Sequence, residues 1–298
     1  MVIRKKTKGF VILIIAIIAT VILLVLIWLS SSSSMPISLF TSSKMVDKFG
    51  ISEIYPTKPG GREWYLNMEN PISDRIFVPQ TNLSRQPDGS WRIGGKQAGG
   101  KFFDEVRMNV MTPAGAEDWK NVEITGYAKI DSVISMKNST PNYDLTWYAR
   151  GGRHNPRTPC EGTAYLGGIY TDGHVEWKKE IWFSGGYTNE RAAKKVTDSI
   201  IGRWIGWKVV MYNIVNDSAV KLESYLDDSG RGSWIKVTDL VDDGGWYAKA
   251  SDSVFNSAHC GISKDYVITN GGPIATYRSD DMVWDFRDLS VREIQPNP

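Results

Sequence analysis

The hydrophobic residues divide the chain into one continuous apolar run and a long remainder of short alternating segments. Residues 10–29 read FVILIIAIIATVILLVLIWL, in which Thr20 is the only polar residue. At a rise of about 1.5 Å per residue, a helix of this length spans roughly the 30 Å hydrocarbon core of a bilayer. The pattern therefore predicts one transmembrane helix over residues 10–29.

The flanks of this run predict its orientation. Four basic residues and no acid precede it within residues 1–9, whereas five serines and no charge follow it directly. Because positively charged flanks stay in the cytoplasm, we predict a cytoplasmic basic segment (1–9), a serine-rich linker (30–49) and an extracellular domain (50–298) of a single-pass cell-membrane protein. A long signal peptide and a prepilin-like processing site at Gly9 are the open alternatives.

Beyond residue 50, short runs of β-branched and aromatic residues alternate with Gly, Asn, Asp and Pro, which predicts a single all-β domain. Asp172-Gly173 indicates a two-residue type I′ hairpin. Residues 188–201 are predicted to form a short helix that ends at Gly202. Strands are predicted over residues 62–68, 101–111, 121–131, 143–150, 162–171, 174–183, 204–214, 219–226, 234–240, 266–269 and 282–294.

Charge and glycine pattern argue against two classes of partner. The formal net charge is +2, and the N-terminal basic segment supplies part of the excess. Without a basic field, nucleic acid is not an expected partner. Glycine pairs such as Gly151-Gly152 and Gly271-Gly272 lack the strand–loop–helix context of a phosphate-binding loop, so no nucleotide is expected either.

The two cysteines of the chain, Cys160 and Cys260, both lie in the predicted extracellular domain. Extracellular thiols are usually oxidised, and an even number favours pairing. We therefore predict a disulfide bond, with two free thiols as the alternative. In the chain-entropy model, closing a loop of about 100 residues stabilises the folded state by up to roughly 4–5 kcal/mol.

The segments GRWIGWKVVMYN and VKLESYLDD, together with the closing segment VWDFRDLSVREI, resemble a known family. They are similar to the back-sheet hairpin and C-terminal strand of the concanavalin A-like lectin/glucanase superfamily. They also resemble membrane-anchored surface proteins of archaea that have a jelly-roll domain. The resemblance implies a jelly-roll sandwich of two stacked antiparallel sheets, one of them concave, with saccharide bound in the concavity.

Three constellations are candidates for chemistry, and the first surrounds His154. The predicted strand ending at Arg150 continues through two glycines to Arg153 and His154. Polysaccharide lyases need a positive group for the uronate carboxylate, a base for the C5 proton and an acid for the leaving oxygen. Arg150, His154 and Tyr170 could fill these roles. The alternative is a solvated strand end with an ordinary loop histidine.

The second constellation is Glu176-Trp-Lys178-Lys-Glu180, in which period-two alternation places Glu176, Lys178 and Glu180 on one face of a strand. It resembles the ExDxE motif of the retaining glucanases of the superfamily, which pair a nucleophile with an acid/base. Lysine replaces the middle aspartate. Because Lys178 would lower the pKa of both carboxyls, hydrolysis is doubtful, and a charged, solvated strand face is the alternative.

The third constellation is a set of aspartates flanked by Gly and Ser, of which Asp280, Asp281 and Asp285 are the candidate metal ligands. Loop carboxylates are hard-oxygen ligands suited to Ca²⁺. Calcium is therefore the one cofactor that the sequence favours, although the spacing matches no EF-hand. The alternative is that these residues form hairpin turns.

The sequence thus favours an anchored glycan-binding protein whose partner is a polysaccharide or cell-surface glycan. A lyase or hydrolase that uses the same concave face is one alternative, with a lyase favoured over a hydrolase, and a structural protein of the cell envelope is another. The predicted ligand-binding residues are Trp147, Tyr148, Arg153, Lys178 and Trp182. The predicted catalytic residues are His154, Arg150, Tyr170, Glu176 and Glu180.

Overall fold

The computed structural model describes residues 45–94, 105–134, 144–153, 155, 157–182 and 185–296, together with Thr20 and Ile22, which are helical. The chain divides into a unit of residues 1–43 and a compact unit from Lys44 to Pro298. Within the described residues, no helix is long and apolar enough to cross a bilayer. The predicted transmembrane helix lies, apart from Thr20 and Ile22, outside the described residues.

The regular secondary structure described in the compact unit consists almost entirely of strands. They are β1 (Glu63–Tyr65), β2 (Phe77–Pro79), β3 (Ser84–Arg85), β4 (Trp91–Ile93), β5 (Glu105–Met111), β6 (Val122–Val133), β7 (Asp144–Gly151), β8 (Ala164–Tyr170), β9 (His174–Glu180), β10 (Arg191–Lys195), β11 (Trp204–Ile214), β12 (Ala219–Asp227), β13 (Ile235–Asp242), β14 (Ile274–Asp280) and β15 (Met282–Glu293). One helix, α1, spans Asp252–Ala258, and short 3-10 turns span Pro71–Ser73 and Pro159–Glu161.

These strands form two antiparallel sheets. In the back sheet the order is β13-β12-β11-β6-β15-β4-β3, and β1 also pairs with β15. In the front sheet the order is β10-β9-β8-β7-β14-β5-β2. A single cluster of buried Trp, Val, Ile and Leu side chains from both sheets fills the space between them. The predicted two-sheet antiparallel sandwich is therefore confirmed.

Alternation along each front-sheet strand separates the core from the outer face. On β9, Val175, Trp177 and Lys179 are buried, whereas Glu176 and Lys178 are half-buried on the opposite face. Successive side chains of a strand point to opposite faces of its sheet. The polar side chains of the front sheet are therefore collected on its outer face.

The outer face of the back sheet is covered by residues 51–57, here called the strap. Thr57 bridges to Ile294, and the backbone N–H of Ile54 donates to the carboxylate of Glu123 at 3.0 Å. The ammonium of Lys208 donates to the carbonyl oxygen of Ser52 at 2.6 Å. Because the strap occupies part of this face, the outer face of the front sheet is the more open surface for a ligand.

Most long strands were predicted, whereas the short strands β2–β4, the edge strand β10 and the interior strand β14 were not. The predicted strand 204–214 coincides with β11. The predicted helix over 188–201 is wrong, because Arg191–Lys195 is the edge strand β10, paired with β9. The predicted strand 266–269 is irregular, whereas β14 and helix α1 were not predicted.

The hairpin predicted at Asp172-Gly173 is present, with a different turn. Ile169 pairs with Val175, and the N–H of Gly173 donates to the carbonyl of Tyr170 at 2.9 Å. The φ of Gly173 is +89°, so this glycine occupies the left-handed position of a three-residue connection instead of a type I′ turn. A Cβ there would lie 2.0 Å from the carbonyl oxygen of Thr197, which leaves glycine as the residue that fits.

The predicted disulfide bond between Cys160 and Cys260 is confirmed. Their Cα atoms are 5.5 Å apart, and the bond closes a loop over a sequence separation of 100 residues. The bond links the 3-10 turn after β7 to the segment after α1. It therefore fixes two long connections at one end of the sandwich.

Candidate functional site

The outer face of the front sheet contains a groove of about 350 Å³, here called the front groove. Strands β7, β8, β9 and β14 form its floor, and residues 187–190 with Lys249 form one side. Its charged lining residues are Asp144, Glu176, Lys178, Glu190, Lys249, Arg278 and Asp280.

The register of the strands brings these charges together. Asp280 lies opposite Glu105 on β5, and the pairing of Ser279 with Leu145 sets Asp280 opposite Asp144 on the other side. Asp144 in turn lies opposite Tyr170 of β8. Three carboxyls and a tyrosine therefore form a row across the front sheet, in the order Glu105, Asp280, Asp144 and Tyr170. Directly opposed residues of an antiparallel pair have Cβ atoms about 4.5–5.5 Å apart, so these groups interact.

Arg278, two residues from Asp280 on the same face, neutralises much of this negative charge. Its Nε and Nη2 atoms donate to the two carboxylate oxygens of Asp280 at 2.8 and 2.7 Å. Nη2 also lies 2.9 Å from Glu105 Oε2. Burial opposes the charge of Arg278, but the two carboxylates outweigh it and hold the pKa of the guanidinium above its usual value. This ion-pair cluster fixes one wall of the front groove.

Asp144 is a buried carboxyl of the front groove with a raised pKa. It is 7% exposed, and the hydroxyl of Thr146 donates to it at 2.5 Å. Burial, followed by the charge of Asp280, raises the pKa of Asp144 to about 7, against the opposing influence of Thr146, Arg278 and Lys178. The front groove therefore contains a carboxyl that exchanges its proton near neutral pH.

Glu176 and Lys178 line the opposite wall, and the Tyr170 hydroxyl contacts both. The Tyr170 hydroxyl donates to Glu176 Oε1 at 2.5 Å, and Lys178 Nζ donates to the Tyr170 oxygen at 2.9 Å. Lys178 Nζ and Glu176 Oε1 are also 2.5 Å apart. Burial and the nearby carboxyl of Asp144 raise the pKa of Tyr170 well above its usual value. The tyrosine therefore stays a neutral hydroxyl at physiological pH.

Gly168 leaves the centre of the front groove open. It lies opposite Thr146 on one side and opposite Glu176 on the other. A Cβ at this position would meet Thr146 Oγ1 at 3.4 Å and Asp144 Oδ2 at 3.7 Å, which are ordinary contacts. Strand β8 could therefore accommodate a side chain at this position. Because glycine has none, the volume of the front groove above residue 168 stays open to a ligand.

The structure brings together part of the predicted site. Tyr170, Glu176 and Lys178 contact one another, and Asp280 lies across the groove from them. The predicted ligand-binding residue Tyr148 is half-buried on the same face of β7 as Asp144 and Thr146, opposite Thr276 of β14. The predicted catalytic residue Glu180 lies on the same face of β9 as Glu176 and is buried. The predicted base, His154, lies outside the described residues.

Two predicted stacking residues belong to the interior instead. Trp147 is completely buried between the sheets, with its ring 5.0 Å from that of Tyr277. Trp182 is also completely buried and packs against Phe255 of α1, with ring centroids 3.7 Å apart. A ring enclosed on both faces cannot stack on a ligand, so the structure does not support a recognition role for either tryptophan.

Arg150 is likewise an internal residue. It is 1% exposed, and its guanidinium donates to the carbonyl oxygens of Lys120 and Ile268 at 2.9 and 2.6 Å and to Asn213 Oδ1 at 2.6 Å. Burial lowers the pKa of Arg150 to about 10. Arg153 is exposed and paired with Glu161 at 2.8 Å, outside the front groove. Neither arginine is placed to neutralise a uronate in this groove.

The three aspartates of the predicted calcium site are not assembled. Asp280 ends β14 of the front sheet, and Asp281 lies in the turn that follows it, with φ at +52°. Asp285 belongs to β15 of the back sheet, where Arg92 and Lys129 bind its carboxylate at 2.6 and 3.0 Å. Across the described ranges, no three His, Cys, Asp or Glu residues are grouped so that they could hold a metal ion.

Sequence reasoning missed nine of the twelve groove residues, among them Asp144, Thr146, Gly168 and Arg278. The available signal was polar residues at alternate positions within buried strands. On β7 these are Asp144, Thr146 and Tyr148, separated by Leu145 and Trp147. Because adjacent residues point to opposite faces, Trp147 and Tyr148 could not both line one groove.

No protein-family model matches the chain, and no curated protein matches it. Several solved structures have a similar fold. One is the basic winged bean lectin with Tn-antigen, 10% identical, with 78% of this chain and 97% of that chain covered and a TM-score of 0.45. Another is a protein of unknown function with a galectin-like fold from Bacillus subtilis, 10% identical over 82% of this chain and all of that chain, with a TM-score of 0.44. Nothing in these similarities supports an archaeal relative.

Proposed function

We propose that this protein is anchored in the cell membrane by residues 10–29 and binds a glycan in the front groove, outside the cytoplasm. The observation on which the glycan proposal rests is the convergence of donors and acceptors around the open floor at Gly168. Carboxylates accept hydrogen bonds, and lysine and arginine donate them. Because sugar hydroxyls do both, they complement a groove of this mixed character.

The charges of the groove favour a ligand that is rich in hydroxyls. The cations of the groove are already paired, Arg278 with Asp280, Lys178 with Glu176, and Lys249 with Glu190 at 3.8 Å. These pairs hold the side chains in place, which reduces the entropy lost when a ligand binds. Half-buried Tyr187 adds ring surface to the lining of the groove.

The experiment is a binding screen of the full chain, extracted in detergent, against neutral and anionic polysaccharides. We expect Gly168→Leu to abolish binding of any glycan that the wild type retains, because the leucine side chain fills the groove. Gly168→Ala is the matched control, since its Cβ makes only ordinary contacts, and should keep most of the affinity. Equal binding by the wild type and Gly168→Leu would contradict the proposed site.

The membrane anchor is tested separately, by phase separation of the full chain in a detergent that clouds on warming. The length of the apolar run and the basic residues before it support a retained transmembrane helix. We expect the full chain in the detergent phase, and a variant without residues 1–43 in the aqueous phase. Recovery of the full chain in the aqueous phase would contradict the anchor.

Hydrolysis of the bound glycan is the second candidate function, and Asp144 is the observation that favours it. A carboxyl with a pKa of about 7 can hold a proton for a leaving oxygen at neutral pH. The same incubations, assayed for new reducing ends, test this function. Asp144→Asn should then lose turnover while it retains binding, whereas binding without product would leave a lectin-like protein.

A further inference from the structure

A second buried cluster lies inside the sandwich, away from the front groove. Lys179 of β9 and Asp242 of β13 meet between the two sheets, with Lys179 Nζ 2.8 Å from Asp242 Oδ2. Both side chains are 0% exposed. An amine and a carboxyl group that belong to different sheets are therefore held in contact without access to solvent.

Three further groups fix this pair. The hydroxyl of Tyr165 donates to the same oxygen, Asp242 Oδ2, at 2.7 Å. The backbone N–H of Gly244 donates to the other oxygen, Oδ1, at 3.2 Å. Lys179 Nζ also donates to the carbonyl of Tyr266 at 2.8 Å. Each polar atom of the pair is thus oriented before any reaction takes place.

The surroundings of Lys179 and Asp242 disfavour an ion pair relative to uncharged groups. The ring of Trp246 covers the ammonium, with Nζ 5.4 Å from the ring centroid. Removing two ions from water is costly, and a buried pair regains this only in part. Burial lowers the pKa of Lys179, although the charge of Asp242 opposes that shift. Burial thus favours the neutral amine of Lys179, the form that has a lone pair for nucleophilic attack.

We propose that Lys179 and Asp242 condense into an intramolecular amide that joins the two sheets covalently. The lone pair of Lys179 Nζ attacks Asp242 Cγ, so that the N–C bond forms while the bond from Cγ to Oδ2 breaks. Oδ2 takes the two protons that the nitrogen loses and leaves as water. An ammonium and a carboxylate become an amide and one water molecule, and neither an oxidant nor a co-reactant is needed.

The neighbouring groups match the needs of this reaction. The Gly244 N–H points at Oδ1, where negative charge develops during the attack. The Tyr165 hydroxyl lies on the oxygen that leaves, and the Ile268 N–H supports that hydroxyl at 3.0 Å. The amide that results keeps one N–H, which can still donate to Tyr266. Fixing two reactants in contact replaces a bimolecular step by an intramolecular one, which is worth many orders of magnitude in rate.

A second buried lysine provides the comparison. Lys208 Nζ lies 2.5 Å from Glu123 Oε1, and both side chains are 1% exposed. Arg292 also binds Glu123, at 2.9 Å. Although burial opposes ionisation of Glu123, Lys208 and Arg292 together hold the pKa of this carboxyl below its usual value. Because a carboxylate held ionised by two cations is a poor electrophile, we expect no amide at this pair.

The proposed bond would reinforce the sandwich where its sheets meet. Strand β13 is the edge of the back sheet, and β9 lies next to the edge of the front sheet. Trp177 Nε1 already donates to Thr238 Oγ1 across the same junction at 2.8 Å. Both residues of the amide lie within the loop that the disulfide bond closes, so two covalent links would be nested.

Intact mass spectrometry of the full chain after reduction of the disulfide bond tests the proposal. We expect the wild-type mass to be lower than the sequence mass by one water molecule, and proteolysis to yield a branched peptide that joins Lys179 to Asp242. Lys179→Arg keeps the positive charge but removes the nucleophilic amine, so its mass should equal its sequence mass. Lys208→Arg should retain the loss of water.

A wild-type mass equal to the sequence mass would overturn the proposal, and this result does not depend on whether any variant folds. A loss of water that maps to a succinimide at an Asp-Gly step such as Asp172-Gly173, or to Lys208 and Glu123, would overturn it as well. Only the branched peptide at Lys179 and Asp242 supports it.

Discussion

The Glu123→Gln variant is expected to have a free energy of unfolding about 3–5 kcal/mol below that of the wild type, because the change leaves Lys208 and Arg292 buried without a carboxylate. Lys208 Nζ and Arg292 Nη2 lie 2.5 and 2.9 Å from the two oxygens of Glu123. All three side chains are 1% exposed, so water cannot replace the lost charge. Urea denaturation of both proteins at pH 7 measures the difference.

The difference in free energy of unfolding between the wild type and Glu123→Gln should depend on pH in one direction. The pKa of Glu123 is lower in the folded than in the unfolded state, so its contribution is present above the usual pKa of a glutamate. The contribution is lost as the pH falls through the folded-state pKa. The gap between wild type and Glu123→Gln should therefore narrow in acid. A gap that widens as the pH falls would contradict this assignment.

An ion pair on the surface supplies the control for Glu123→Gln. Lys221 and Asp239 are paired across β12 and β13, and the Asp239 side chain is 48% exposed. Because water screens exposed pairs, Asp239→Asn should reduce the free energy of unfolding by less than about 1 kcal/mol. If Glu123→Gln and Asp239→Asn reduced the free energy of unfolding equally, burial of the Glu123 ion pairs would not be the cause of the larger expected loss.

The Glu123 variant also tests how the strap is held. The N–H of Ile54 donates to Glu123, and Lys208 donates to Ser52, so this cluster joins the back sheet to the strap. Faster hydrogen exchange confined to residues 51–57 in Glu123→Gln would show that the cluster fastens the strap. Unchanged exchange there would mean that the bridge from Thr57 to Ile294 is sufficient.

The strands that were predicted correctly are those whose hydrophobic pattern and bounding turns are both present in the local sequence. Strand β11 is a long run of apolar residues bounded by Gly202 and by the Val215–Asp217 turn, and its bounds were predicted correctly. The segment that became β10 has an acid early and lysines later, which is also the charge order of a helix. This segment is a strand because it pairs with β9. The residues of the segment alone do not indicate that pairing.

The same distinction applies to the candidate site. Glu176 and Lys178 belong to one strand, so alternation alone was enough to place them on one face, whereas Tyr170 was assigned to a different constellation although it lies in the same hairpin. Asp144 and Arg278 meet only because β7 pairs with β14, a strand that the sequence did not predict. The half of the front groove built by distant strands was therefore missed.

The period of two along β7 also explains why Trp147 was wrongly chosen as a ligand-binding residue. Trp147 follows Thr146 and precedes Tyr148, so it points away from the face that both of these share. Arg150 lies at the end of the same strand with φ at +63°, and its side chain binds carbonyls in the interior. Counting faces along β7 would have separated the core residues from the groove residues.

The free energy of unfolding of the Asp144→Asn variant, relative to that of the wild type, is expected to rise by about 2–3 kcal/mol between pH 5 and pH 8. In the folded state the pKa of Asp144 is raised from 3.8 to about 7. The folded protein therefore holds a proton that the unfolded chain has released between these values. Wild-type stability must fall as the pH rises through this window, because folding then requires Asp144 to take up a proton, and the alternative is a charge in a buried site beside Asp280.

Asparagine keeps the shape of Asp144 and can accept the hydrogen bond of Thr146, but it does not ionise. Urea denaturation of both proteins from pH 5 to pH 8 measures the effect. Asp88→Asn is the control, since the hydrogen bond from Ser90 lowers the pKa of this surface carboxyl, and no gain in stability is expected at pH 8. A constant difference between Asp144→Asn and the wild type across this range would mean that Asp144 is already ionised at pH 5. The proton available for acid catalysis in the front groove would then be absent, and binding alone would remain as its function.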